Sequence, residues 1–193
     1  MYMHKVDIAR YPNATKLLQG LEGKLKGTKI LDAYLDACTA DDQKDAKRAR
    51  TIALQQGLKW AAGPMVSVHK GLIRAPVGGE VVDACGFLPT FSKKVDRVIV
   101  TSVWFDAYEF GSDYDRPKNA HRLTRTVLHE TVHWVREVAG ASDEIQVGGY
   151  YQGHLEEAGH YFETRAYGSA NICTAAEIED ALFSIREYPP TTP

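Results

Sequence analysis

The chain has 193 residues, 44% of them hydrophobic and 25% charged, with a formal net charge of −2. These are the proportions of one ordinary globular domain, long enough to bury a real core. There is no Lys/Arg block to hold nucleic acid and no apolar run of about 18 residues to span a membrane. The N-terminus, MYMHKVDIARYPN, lacks the apolar stretch of a Sec signal. Export is therefore expected to depend on another machine, or the chain to be one domain of a longer protein. Cys38, Cys85 and Cys173 are widely separated and show no CxxC spacing, so they form no framework and leave the redox compartment open.

In chain order, residues 14–57 are expected to be helical. Leu17, Leu18, Leu21 and Leu25 share one face, a second helix runs from Ile30 to Cys38, and a charged third helix covers 41–56 with Asp41 or Asp42 as its N-cap. Gly57, Gly63-Pro64, Gly71, Pro76 and Gly78-Gly79 then punctuate short strands such as 65–69 and 80–82. Residues 97–104 (RVIVTSVW) give the strongest strand signal, β-branched and aromatic. A polar loop at 111–118 leads into a helix over 123–138, followed by a loop at Gly148-Gly149 and helices over 155–167 and 174–187. The tail PPTTP is expected to be disordered. Helices, a small sheet and helices again make an α+β fold. Its expected division is a helical segment 1–57, a main domain 58–188 and a tail 189–193.

The helix over 123–138 carries His129-Glu130-Thr131-Val132-His133, an HExxH pattern. Four residues are slightly more than one turn, so the imidazoles lie about 40° apart on one face and can share a metal ion. Glu130 stands beside that pair, within reach of a water on the metal. Leu123, Val127, Leu128, Val132, Trp134, Val135 and Val138 occupy the opposite arc. A catalytic zinc site needs a third protein ligand and an open position. The metzincin pattern fails, because Arg136 and Ala139 fall where its glycine and third histidine belong. The helix expected over 155–167 offers Glu156, Glu157, His160 and Glu163. Projected on one helix, Glu163 leads, His160 and Glu156 follow, and Glu157 points away. Gly159 beside Glu163 bares one flank for a close approach to the histidine helix.

The segments VLHETVHWVRE and EEAGHYFETRAYG resemble the metallopeptidase toxin domains of bacterial polymorphic toxins, including domains carried by type VI secretion spike proteins. The second segment matches in register at Glu157, Gly159, Phe162, Glu163, Ala166, Tyr167 and Gly168, and the likeness spans about residues 60–170. The resemblance implies a zincin-like domain with a small mixed or antiparallel sheet packed on the HExxH helix. It implies His129, His133 and Glu163 on zinc, with Glu130 as the base of a gluzincin-like peptidase. It also implies an effector used against other cells, acting on protein substrate in the target periplasm, with the cytoplasm as the alternative, and blocked in its maker by an immunity protein.

An oxyanion donor is needed besides zinc, and Tyr167, His160 or His154 could supply it. The strand at 97–104 is expected either to sit in the core or to offer an edge to extended substrate. A deformylase-like site is an alternative, with Cys85, 44 residues before His129, as third ligand. A non-catalytic metal-binding or interaction module is the alternative of another class.

Overall fold

Around one long helix the rest of the molecule is laid. The computed structural model describes residues 1–40, 46–77, 80–88, 96–147, 154–169 and 174–187. The first strand, β1 (Tyr2–Met3), is followed by helices α1 (Lys5–Arg10), α2 (Pro12–Gln19), α3 (Leu21–Leu25), α4 (Lys29–Thr39) and α5 (Ala46–Ile52), the last continuing as a π-helical turn over Ala53–Gly57. Strands β2 (Met65–His69), β3 (Ile73–Val77), β4 (Glu80–Ala84), β5 (Gly86–Phe87) and β6 (Arg97–Thr101) come next. Helices α6 (Ser102–Phe110) and α7 (Arg116–Ala139), strands β7 (Glu144–Val147) and β8 (His154–Glu157), and helices α8 (Ala158–Tyr167) and α9 (Ala175–Glu187) complete the chain. The expected α+β class is therefore present. The expected N-caps Asp41 and Asp42, the Gly148-Gly149 loop, Cys173 and the tail 189–193 lie outside the described residues.

The main sheet has the order β1-β2-β6-β5. β1, β2 and β6 run parallel, and β5 is antiparallel to β6, pairing Gly86 with Val100 and Phe87 with Ile99. β6 thus has a partner on both sides, which makes it a core strand and not the substrate edge. It is also shorter than the expected 97–104. Thr101 ends it by turning its hydroxyl to the backbone N–H of Val103, 3.2 Å away, and so capping α6. An apolar, aromatic sequence continues as helix here because a capping threonine intervenes. β3 with β4 and β7 with β8 form two separate antiparallel hairpins.

α7 is 24 residues long, starts with Pro117 in its first turn and ends at Gly140, whose φ of 81° is the left-handed cap that glycine adopts without strain. Leu123, Val127, Leu128, Val132 and Val135 are wholly buried on it. They meet α4, α5, α6, α8 and β6 and share one core with Leu18, Leu21, Tyr34, Val98, Val100, Trp104, Phe105 and Phe162. The opposite face of α7 is buried too, and there it carries Arg125, Glu130, His133 and Arg136. Buried charges need partners, and those partners form the site.

Candidate metal centre

α7 sets His129 and His133 one turn apart, with ring centroids 4.9 Å from each other. The third member of the group is Glu157. One ligand atom from each of the three residues lies within 4.8 Å of the others. Glu157 Oε1 is 3.6 Å from His129 Nε2 and touches His133 Nε2. Local structure explains its place. Helix does not begin at residue 155, because residues 154–157 pair with β7 as strand β8, and Glu157, opposite Glu144, keeps extended backbone at the N-cap of α8. There its carboxylate accepts hydrogen bonds from the backbone N–H of Gly159 and His160 at 2.9 and 2.8 Å. A projection that treats residue 157 as helical sends this side chain away from the histidines; the strand-to-helix junction swings it toward them.

Glu163, expected as the third ligand, stands on the other side of the imidazole. Its Oε1 is 2.6 Å from His129 Nδ1 and its Oε2 accepts from Arg125 Nη2 at 3.0 Å. His133 repeats the arrangement, with Nδ1 2.5 Å from Asp143 Oδ1. A carboxylate on Nδ1 fixes ring orientation and tautomer and leaves Nε2 to bind a cation. Asp143 sits just past Ser142, whose carbonyl accepts from Arg136 Nε; Arg136 also donates to the carbonyls of Ala37 and Ala40 at the end of α4. The groups that hold the two histidines from behind thus reach α4, α8 and the loop after α7.

Electrostatics follow from this crowding. Burial is the largest influence on His129 and opposes its charge, yet Glu163, Glu157 and Glu130 together push its pKa up to about 9. His133 is raised against burial by Asp143 and Glu157. Burial raises both Asp143 and Glu157, but the histidines outweigh it and hold both below the usual carboxylate range. Glu130 is raised, because burial outweighs the histidines beside it. Its Oε1 is 4.0 Å from His129 Nε2.

Two glycines make room for this packing. A Cβ at Gly159 would overlap the His129 ring, and one at Gly86, on β5, would overlap the Glu130 carboxylate. The bare flank expected at Gly159 is thus where α8 meets the histidine. Tyr167 is not with the group. Its ring packs edge-on against His121 and Phe162 and under the Arg125 guanidinium, and burial pushes its hydroxyl up to about 12. His160 is closer: half exposed, with Nδ1 3.4 Å from Glu157 Oε2 and its ring 5.6 Å from that of His129. His154 is exposed at the start of β8, and Glu156 accepts from Thr164 Oγ1 at 3.4 Å. Cys85 is disulfide-bonded, so it has no thiolate for the deformylase-like arrangement; Cys38 is a free, buried thiol.

The sequence does not single out Asp143, and its helical projection points Glu157 away from the histidines it faces in the structure. A signal for Glu157 existed in Glu-Ala-Gly, an acidic N-cap just ahead of a helix that opens on small residues. Asp143 carries no comparable mark.

Two imidazole nitrogens and one carboxylate oxygen, with the histidines oriented from behind, are a donor set that could hold a metal ion. Among the described residues, no helix is long and apolar enough to cross a membrane. No curated protein and no solved structure matches the chain. The family model of metallopeptidase toxin 3 matches residues 7–168, a span holding every residue of this centre, and the chain belongs to that family.

Proposed function

We propose that the chain is a zinc-dependent peptidase that serves as an effector toxin, with His129, His133 and Glu157 on the ion and Glu130 as base. The observation that carries this reading is the convergence of both Nε2 atoms on Glu157 Oε1 while both Nδ1 atoms are held by carboxylates. Two nitrogens and one oxygen suit zinc and leave a coordination position open. Zinc bound there would lower the pKa of a water molecule and polarise the scissile carbonyl. Glu130 takes the proton of the attacking water and passes it to the leaving amine. Its burial, which favours the protonated form, supports that carrier role. His160, exposed at the rim, turns its ring toward the carbonyl oxygen of the substrate, a task for which Tyr167 is too enclosed. Extended substrate runs along β5, the end strand whose Gly86 lies over Glu130.

Membership of a toxin family supports a protein substrate in a foreign cell and an immunity protein that covers the cleft in the producer. Carriage by a secretion spike and action in the target periplasm belong to the same proposal. The test compares wild type with Glu130→Gln. Both should bind one equivalent of zinc, only wild type should cleave an unfolded protein substrate, and only wild type should be toxic when sent to the bacterial periplasm. Retained cleavage by the variant would remove Glu130 as base. Harmlessness of wild type in both periplasm and cytoplasm would leave a housekeeping peptidase as the better reading.

A further inference from the structure

We infer that Arg125 is a positioning residue for the metal centre, acting through Glu163 on His129. The inference rests on the metal reading above. Arg125 lies one helical turn before His129 on the same side of α7. Its Nη2 donates to Glu163 Oε2 at 3.0 Å and to the Ser169 carbonyl at 2.9 Å, and its guanidinium stands 5.2 Å from the Tyr167 ring centre. Glu163 is wholly buried, and its other oxygen is the one at His129 Nδ1. A continuous line therefore runs from the end of α8, through Arg125 and Glu163, to the back of the metal-facing imidazole.

Each link constrains the next. A carboxylate held by a single hydrogen bond to Nδ1 can rotate about its own axis and let the ring swing. Anchoring the second oxygen removes that freedom and fixes the direction of His129 Nε2. Arg125 does this with an incompletely satisfied guanidinium, since its Nε is buried without a hydrogen-bond partner among the described residues. A cation placed only to support the fold would be expected to use that donor as well. What the side chain secures is the line from Nη2 to Glu163.

The test measures zinc affinity of the purified full chain by competition with a chelator, and folding by thermal melting. Arg125→Lys keeps the charge but not the guanidinium geometry, and should weaken zinc binding by roughly 10- to 100-fold. Glu163→Ala should also weaken it. Adding Arg125→Lys to Glu163→Ala should then change nothing further, because the arginine has lost the carboxylate it acts through. Should Arg125→Lys fail to fold, the neutral pair Arg125→Met with Glu163→Ala takes its place and should match Glu163→Ala alone. Wild-type affinity in folded Arg125→Lys, or an equal loss in both backgrounds, would overturn the inference. A wild-type chain that binds no zinc would instead overturn the metal reading on which it stands.

Discussion

At the scale of single residues, the centre is defined by which nitrogen of each histidine faces which carboxylate. If Glu157 is a ligand and Glu163 an orienting group, their alanine variants differ in kind. Glu157→Ala should abolish stoichiometric zinc binding, whereas Glu163→Ala should retain it at lower affinity, about 10- to 100-fold weaker. Isothermal titration of both variants separates the roles, and the opposite ranking would restore Glu163 as the ligand. Proton linkage adds a second expectation. In the metal-free protein His129 has a pKa of about 9, above its unfolded value of 6.5. The stability it contributes is complete below pH 6.5 and is lost as pH rises toward 9. Glu157 and Asp143, held below their unfolded values, contribute in the other direction and lose stability as pH falls through the acidic range. The metal-free melting temperature should therefore decline on both sides of a mildly acidic maximum, and the alkaline decline should disappear once zinc is bound. The shared face of His129 and His133, with Glu130 beside it, is legible in the sequence, because the spacing of the two histidines alone fixes it. The helical projection turns Glu163 toward the histidines but does not tell which ring nitrogen it meets.

Elements explain the remaining discrepancies. A window of apolar β-branched and aromatic residues reads as one strand over 97–104, yet Thr101 divides it into β6 and α6. Its hydroxyl, wholly buried, donates to the Gly71 carbonyl at 2.6 Å besides capping Val103. Thr101→Val keeps the shape and removes both bonds, and should cost about 1–2 kcal/mol in a denaturant titration; a loss below measurement would mean that the junction is held by packing alone. The same reasoning applies at β8 and α8. Residues 154–157 have no strong strand signature, and only pairing with β7 draws them out of the helix that their composition allows. Long, strongly periodic α7 was readable with its buried stripe; the short elements that set the angle of Glu157 depend on partners distant in sequence.

For the molecule as a whole, the helical segment at the N-terminus is part of the support of the site. α4 packs on α7 and α8, and the carbonyls of Ala37 and Ala40 receive the buried Arg136 that also holds Ser142, next to Asp143. The match of the family model from residue 7 agrees with that integration. A chain beginning at residue 58 should therefore lack a cooperative thermal transition and bind zinc no better than an unfolded peptide, since it exposes the core face of α7 and takes the Ala37 and Ala40 carbonyls from the buried Arg136. A folded, zinc-binding product of that truncation would show the segment to be an independent unit.

Glu157 has two duties that the same atoms must share. Its oxygens cap the first turn of α8 through the amides of Gly159 and His160, and they also face His129 and His133. If Glu157 binds the ion, ligand exchange there is written into the backbone of a helix. As the carboxylate turns between cation and cap, the two amides gain or lose their acceptor, and their hydrogen-exchange rates become a gauge of occupancy. Zinc should change protection at Gly159 and His160 more than at the following turn of α8, so that an ion with no colour or spin of its own is reported by two peptide protons.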